Sequence, residues 1–367
     1  MSIYYATGLP SVPVGGVKQV FRHAQVLAEA GWDCRVLGLS TSKAPGWLTS
    51  RIPISTVRRT RVRRLGDRLA RVHRRLWPGD LDPLSEFDHP RGVEILTEGQ
   101  PGSVPLRSTD VLVLPEHLGM SLRRPRVDCR TVIFNQNVHY MFSGLSPGGS
   151  VKGSLCADES VPSIVVSQHN YECLRHAFPN REIHLTRNGI DGRHFFFEPA
   201  KKKKQQIAYM PRKLPNDLAH VLAMLELRGC LEGWSLCPID GVSEGQAGQM
   251  MRESLVFLSS CSIEGFGLPP LEALLSGCVV VGYTGMAAGE FLDQATGFPI
   301  AQEDRLAFAR QVETLLAELA AEPDAYLARA AEIAARLRDE YSLERERAAI
   351  LKAWRQLAPD HDPERTP

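Results

Sequence analysis

Two glutamates, Glu264 and Glu272, lie eight residues apart on either side of a glycine-rich turn. The apolar run 255–258 before them predicts a short buried strand, and a Pro-Pro pair after the turn suits the first positions of a helix. Ligands of parallel α/β sheets bind at the carboxyl ends of the strands. Two carboxylates at this place would hold hydroxyl groups of one ligand, with the amides of residues 265–267 between them.

The run from Glu264 to Gly277 resembles the E-x7-E motif of GT-B glycosyltransferases, in particular the large retaining family 4. The resemblance implies that Glu264 contacts the donor sugar and that Glu272 holds the ribose hydroxyls of the nucleotide. It also implies that the turn approaches the sugar and diphosphate through Gly265, Phe266, Gly267 and Leu268. The alternative is a loop carboxylate followed by a first-turn glutamate that the helix dipole favours. The intervening Gly-Phe-Gly-Leu-Pro-Pro sequence favours the functional interpretation.

A basic pair, Arg212 and Lys213, follows the predicted strand 205–210. Family 4 enzymes place an arginine and a lysine in this region, where two cations stabilise the charge of the departing diphosphate without a metal. The family pattern separates these cations by several residues, whereas Asp217 stands at the later position here. The alternative is an exposed basic loop.

The amino-terminal half offers two further candidates. Gly15 and Gly16 open a predicted helix, where glycine lets the backbone approach a diphosphate and the helix N-terminus favours its charge; a tight turn would need glycine as well. His139 follows the predicted strand 131–134, and the resemblance implies contact with the donor sugar, although a lone histidine is often structural. The sequence lacks G-x-G-x-x-G, so a dinucleotide site is disfavoured.

A second loop departs from the family pattern. The segment Gly285–Glu290 follows the predicted strand 278–283. Its family counterpart is a glycine-rich loop with a glutamate that borders the donor pocket. Met286 and two alanines replace glycines here.

Composition bounds the class of protein. The 367 residues suffice for two domains, 43% of them are hydrophobic, and the net charge of +1 implies no nucleic-acid partner. The eight cysteines include no C-x-x-C pair, which favours reduced thiols and a cytoplasmic protein without structural zinc. From the sequence we expect no signal peptide and no segment that spans a bilayer.

Alternating strands and helices predict a parallel, doubly wound α/β sheet in each half. The resemblance implies GT-B architecture, with two Rossmann-like domains facing across a cleft. We expect an amino-terminal acceptor-binding domain at 1–195 and a carboxyl-terminal nucleotide-sugar domain at 196–344. A final helix at 345–358 would pack back on the first domain, and 359–367 would be disordered. Short family-like segments at 187–191 and 341–344 support this order.

The stretch from Arg58 to Arg75 is rich in arginine, with leucines and valine at helical spacing. Such a basic amphipathic helix would contact an anionic membrane at the inner face, or would pack its apolar stripe on its own sheet. Two D-x-D triplets, at 80–82 and 360–362, follow no strand. We interpret them as chance rather than as a metal site.

By resemblance, the reaction is a metal-independent transfer of a hexosyl or deoxyhexosyl group with retention of configuration. The donor would be a UDP-, GDP- or dTDP-sugar, and no other cofactor is expected. Polysaccharide and other glycan acceptors, lipid-linked acceptors and small molecules all fit. Two alternatives are a sugar-nucleotide 2-epimerase of GT-B architecture, which needs no acceptor, and a non-catalytic nucleotide-binding partner of another transferase.

Overall fold

The structure, a computed structural model, describes residues 1–11, 14–39, 45–57, 94–97, 104–117, 129–143, 148–198 and 203–364. The chain divides into two compact units. The amino-terminal unit comprises residues 1–165, 171–186 and 349–367, and the carboxyl-terminal unit comprises residues 166–170 and 187–348. The division after residue 186 lies nine residues before the expected boundary at 195.

The described part of the amino-terminal unit contains one nine-stranded sheet, in the order β5-β4-β3-β2-β1-β6-β7-β8-β9. Its strands are β1 Ile3–Thr7, β2 Cys34–Gly38, β3 Ile54–Val57, β4 Glu94–Thr97, β5 Val104–Pro105, β6 Val111–Pro115, β7 Arg130–Asn135, β8 Ser163–Val165 and β9 Ile183–Leu185. The helices that begin in this unit are α1 Gly15–Glu29 and α2 Val138–Met141. Helix α3, Gln168–Ala177, begins among residues assigned to the carboxyl-terminal unit and continues into this one.

This sheet differs from the sequence-based expectation in the direction of one strand and in the presence of another. β4 pairs antiparallel with both β3 and β5, whereas the other pairings are parallel. The strand Ile54–Val57 is a further element that the sequence analysis did not predict, directly before the arginine-rich stretch. Strand direction depends on the route of the connecting chain, and periodicity in one segment does not report it.

The described part of the carboxyl-terminal unit contains a five-stranded parallel sheet, in the order β11-β10-β12-β13-β14. Its strands are β10 Lys204–Tyr209, β11 Ser235–Pro238, β12 Ser254–Glu264, β13 Val279–Met286 and β14 Phe298–Ile300. Its helices are α4 Pro215–Leu227, α5 Glu244–Glu253, α6 Leu268–Leu275, α7 Arg305–Ala321 and α8 Pro323–Glu340, and α9 Leu343–Leu357 begins here.

The core of the carboxyl-terminal unit lies between this sheet and two of its helices. Buried side chains of β12 and β13 pack with apolar residues of α4 and α7, among them Val221, Phe308 and Val312. Burial of such side chains stabilises by about 1.5–3 kcal/mol each. This packing fixes where β12 ends relative to the rest of the unit, and therefore the position of Glu264.

The carboxyl-terminal segment completes the amino-terminal unit. Trp354 of α9 is fully buried, and its Nε1 donates a hydrogen bond of 3.0 Å to the hydroxyl of Tyr5 in β1. The residues after α9, expected to be disordered, form a 3₁₀ turn at Pro359–His361, and Asp362 is buried beside Arg355 at 3.4 Å. This ion pair gives Asp362, the last residue of the second D-x-D triplet, a partner within the unit.

Candidate active site

The site begins at the central strand of the carboxyl-terminal sheet. β12 runs for eleven residues between β10 and β13, six residues further than the apolar run predicts. Its last residue, Glu264, lies at the carboxyl end and is the register partner of Met286. The side chain of Glu264 is 20% exposed. Glu264 therefore lies where parallel sheets present ligand-binding groups, as expected.

An aromatic cluster packs around Phe266 of the glycine-rich turn. Phe266 is buried, and its ring lies 5.6 Å from that of Phe291 and 5.9 Å from that of Tyr341. Gly267 follows with φ of 91° and is the N-cap of α6, a conformation that glycine adopts at least cost. A Cβ atom at Gly267 would lie 2.7 Å from the Cβ of Ala288. The turn is thus tightly packed, and residue 267 must be small.

Helix α6 begins at Leu268 with a proline in its first turn, as expected. Its buried residues are Pro270, Leu271, Ala273, Leu274 and Leu275, which pack inward. Glu272 is half-buried, so its carboxylate belongs to the solvent-accessible side of this helix. Glu272 lies four residues after Leu268, just over one turn into the helix.

The structure brings Lys213 to Glu264. The Nζ of Lys213 forms an ion pair with the Oε1 of Glu264, and the hydroxyl of Ser260 donates a 2.7 Å hydrogen bond to the carbonyl of Lys213. The Lys213 side chain is 40% exposed. Arg212 is exposed beside it. The sequence favours Arg212 as the principal cation, whereas the structure gives Lys213 the direct contact with Glu264.

The loop 285–290 uses its glutamate within the carboxyl-terminal unit. The Oε2 of Glu290 accepts a 2.7 Å hydrogen bond from the backbone N–H of Gln168, and its Oε1 lies 3.6 Å from the Nε of Arg187. The Glu290 side chain is 12% exposed, and its two oxygens connect this loop to the segments that contain Gln168 and Arg187.

The two short family-like segments meet in the same unit. The backbone N–H of Ile190 donates a 2.8 Å hydrogen bond to the carbonyl of Tyr341, and Ile190 pairs with Ser342 in a parallel bridge. A Cβ at Gly189 would lie 2.7 Å from the carbonyl oxygen of Ser342, which explains the glycine. Asp191 is paired with Arg193, and that hydrogen bond lowers the pKa of the Asp191 carboxyl to about 2.

The amino-terminal unit places its candidates at the carboxyl edge of its own sheet. Gly15, which is exposed, and Gly16, which is half-buried, form the first residues of α1. A Cβ at Gly16 would lie 3.2 Å from the Oε1 of Gln136, so α1 closely approaches the residue after β7. The half-buried His139 lies in α2, whose N-cap Asn137 accepts a hydrogen bond from the His139 backbone N–H.

Glu116 is a candidate residue that the sequence analysis missed. It follows β6 and is 4% exposed, and its Oε1 accepts a 3.1 Å hydrogen bond from the backbone N–H of Asn137. Burial raises the pKa of the Glu116 carboxyl to about 7. Glu116 therefore supports the turn that leads to His139. A lone glutamate directly after a buried strand was the signal, and perturbed carboxyls in such places are functional candidates.

Two sequence-based expectations lie outside the described residues. These are the basic segment Arg58–Arg75, with its membrane contact, and the triplet Asp80–Asp82. Among the helices that the structure describes, none combines the length and apolarity needed to cross a membrane.

Comparison with known proteins gives a family match for the part of the chain that contains the candidate site. Residues 238–333 match the family model described as glycosyl transferases group 1. This range includes Glu264, Glu272 and the turn between them. An alpha-1,6-glucosyltransferase of Actinobacillus pleuropneumoniae serotype 7 is 27% identical over 214 residues. That alignment covers 56% of this chain and 63% of the relative, somewhat less than two thirds of its length.

Solved structures resemble the chain over nearly its full length. Sucrose-phosphate synthase from Thermosynechococcus elongatus has a TM-score of 0.64 at 14% identity, covering 98% of this chain and 99% of its own. Anabaena HepE, crystallised with UDP-glucose, has a TM-score of 0.64 at 13% identity, covering 97% and 100%. At these identities the likeness shows the fold. The chain has the α/β GT-B fold of two Rossmann-like units, and its residues 238–333 match the glycosyl transferases group 1 family.

Proposed function

We propose that the chain is a retaining, family 4-like hexosyltransferase of GT-B type. It moves a hexosyl or deoxyhexosyl group from a nucleotide sugar to a glycan, lipid-linked or small-molecule acceptor. The observation that carries the proposal is the pairing of Lys213 with Glu264 at the carboxyl end of β12. The tight turn at Gly267 and the helix α6, which carries Glu272, come directly after Glu264 in the chain.

Each residue of this cluster has a role that fits its chemistry. Glu272 accepts hydrogen bonds from the ribose hydroxyls, and Glu264 accepts them from the sugar hydroxyls. The amides of the turn and the first residues of α6 approach the diphosphate, where the helix N-terminus favours negative charge. Lys213 and Arg212 stabilise the charge that develops on the leaving diphosphate.

The amino-terminal unit supplies the remaining groups of the proposal. Gly15 and Gly16 leave room for the diphosphate or acceptor at the start of α1, and His139 lines the sugar pocket. The departing phosphate serves as the base for the acceptor hydroxyl in a front-face displacement. Configuration is then retained without an enzyme nucleophile.

UDP-glucose is the first donor to test, because HepE was crystallised with it and the aligned relative is named a glucosyltransferase. GDP- and dTDP-sugars complete the panel. The same two cations make metal unnecessary in this proposal, so turnover in EDTA is expected to match turnover in Mg²⁺.

The first experiment measures thermal shifts of the wild-type protein with this panel and repeats them on Glu272→Ala. One nucleotide should raise Tm by several degrees, because a ligand at 100 times its Kd stabilises by about 2.7 kcal/mol. The shift should disappear in Glu272→Ala and persist in Glu332→Ala, a control at an exposed position of α8. Loss of the shift in both variants, or no shift with any donor, would contradict the proposed site.

Product analysis separates the alternatives. Transfer to an acceptor with the donor's anomeric configuration, read by NMR, supports the transferase. An epimerised donor without acceptor would indicate the 2-epimerase. Donor binding without turnover across glycan, lipid-linked and small-molecule acceptors would indicate the non-catalytic partner.

A further inference from the structure

Met286 is held in a backbone conformation that a methionine rarely adopts. Its φ is 76° and its ψ is −66°, the values of the strained form of the γ-turn. Non-glycine residues with positive φ cost on the order of 1–3 kcal/mol and persist where surrounding structure enforces them. Here the enforcement is visible, since Ala287 and Ala288 after it are buried and Ala288 packs against the Gly267 turn.

The Met286 side chain contributes little to the core. It is 56% exposed, although Met286 ends a strand whose preceding residues are mostly buried. A glycine at this position would relieve the backbone strain and lose little buried apolar surface. Folding therefore gives no reason for a large apolar side chain at residue 286.

The register of the sheet places Met286 beside Glu264. The two residues are partners across the parallel strands β12 and β13. Register partners on neighbouring strands have backbones about 5 Å apart. The register shifts between Cys261 and Glu264, and Met286 has left the extended conformation, so the pairing locates the two backbones at the end of the sheet. The exposed side chain of Met286 therefore begins next to Glu264.

We propose that Met286 is a specificity-determining residue for the donor sugar. This inference rests on the proposed function, in which Glu264 accepts hydrogen bonds from sugar hydroxyls. On this proposal, the apolar side chain next to Glu264 accommodates a hydroxyl of the bound sugar and excludes an acylamino group. The donor class is therefore a UDP-hexose without an N-acetyl group.

The test compares the affinities of UDP, UDP-glucose and UDP-N-acetylglucosamine in calorimetric titrations. The wild-type protein should bind UDP-glucose more tightly than UDP-N-acetylglucosamine. In Met286→Gly the ratio of the two Kd values should fall by roughly tenfold or more, since pocket contacts of this size discriminate by about 10–200-fold. Met286→Leu keeps the bulk and should keep the ratio, and UDP affinity should be unchanged in both variants.

Glu303→Gly provides the matched control. Glu303 also has positive φ, at 68°, and is exposed in the loop before α7. Both glycine variants should raise Tm because both relieve strain, whereas only Met286→Gly should change the Kd ratio. The control thus separates specificity from stability.

Each remaining outcome has a distinct meaning. An unchanged ratio in Met286→Gly, or a wild-type preference for the N-acetylated donor, overturns the inference while the transferase proposal stands. Binding of GDP- or dTDP-sugars but no uridine nucleotide overturns the proposed UDP-hexose class and leaves the proposed function intact. If no nucleotide sugar binds, the proposed function fails and this inference fails with it.

Discussion

At the scale of single residues, the Lys213–Glu264 pair contributes little to stability and is suited to binding a ligand. Its side chains are 40% and 20% exposed, and ion pairs accessible to water contribute only about 0–1 kcal/mol to stability. The pair is therefore easily exchanged for contacts with a charged or hydroxyl-bearing ligand. An adjacent cation and carboxylate suit a phosphate and a sugar that are joined in one molecule.

Lys213→Ala is expected to lower kcat by about 10²–10³, because a preorganised group that stabilises developing charge contributes on this order. Lys213→Arg should recover part of the loss, since charge is kept but position is not. Initial rates with saturating UDP-glucose measure both.

Lys204→Ala is the matched control for this experiment. Lys204 lies in β10 and pairs with Glu253 at 2.6 Å, so the variant also removes a lysine–glutamate pair from the same unit. An equal loss of kcat in both lysine variants would contradict a role of Lys213 in catalysis.

At the scale of elements, the start of α6 determines the position of the candidate site in the carboxyl-terminal unit. Gly267 combines positive φ with contact against Ala288, and Phe266 is fixed by two aromatic rings. A helix whose first turn is packed this tightly presents its amides and Glu272 in one arrangement. Such preorganisation lowers the entropic cost of binding.

Gly267→Ala is expected to destabilise the carboxyl-terminal unit by about 1–3 kcal/mol and to weaken nucleotide-sugar binding, because strain and the clash with Ala288 both act on the turn. The double variant Gly267→Ala with Ala288→Gly removes the clash but not the strain, so it should recover only part of the stability. Urea unfolding and donor titrations measure the two effects.

Gly289→Ala controls for the added methyl group. Its Cβ would meet no atom within 4 Å, and Gly289 lies in the same loop region as Ala288. A loss of stability at Gly289 equal to that at Gly267 would refute the role assigned to the turn.

At the scale of the whole molecule, each unit is assembled from segments distant in sequence. The amino-terminal unit needs residues 349–367, whose Trp354 bonds to Tyr5, and its sheet edge collects Glu116 and His139. Two buried ionisable groups affect the pH stability of this unit in opposite directions. Burial lowers the pKa of His23 to about 3, and burial raises the pKa of Glu116 to about 7.

The sign for Glu116 follows from proton linkage. Its folded-state pKa lies above the ordinary value of 4.5, so its contribution to stability is complete below pH 4.5 and is lost as pH rises to about 7. For His23 the folded pKa lies below 6.5, so stability is lost as pH falls from 6.5 towards about 3.

Glu116→Gln is expected to flatten the loss of stability between pH 4.5 and 7. At pH 8 the variant should be more stable than wild type by on the order of 1–3 kcal/mol, since the amide keeps an acceptor for Asn137 and carries no charge. Urea unfolding at pH 5, 6, 7 and 8 measures this. Glu182→Gln, at a half-exposed residue, is the control. Parallel pH curves for Glu116→Gln and wild type would show that Glu116 is not buried as a neutral acid.

Much of the fold could be predicted from local patterns. Strands such as β1, β6 and β7 contain apolar runs of three or more residues, and α1 ends just before Gly31, which adopts φ of 87°. The antiparallel pairing of β4 could not be predicted in this way, because the direction of a strand is set by chain segments distant from it. The extension of β12 to Glu264 was also missed, because polar residues hide this part of the strand, which continues past its pairing with β10 and pairs with β13.

For the candidate site, the sequence by itself determined the residue types and their order. The Glu264–Gly277 pattern depends on spacing along one strand, one turn and one helix, so local chemistry specifies it. Only the tertiary structure decided that Lys213 rather than Arg212 meets Glu264, that Met286 stands next to that carboxylate, and that Glu116 is buried under the His139 turn. These contacts arise between strands that are neighbours in the sheet but distant in sequence, and packing and register, not local propensity, bring them together.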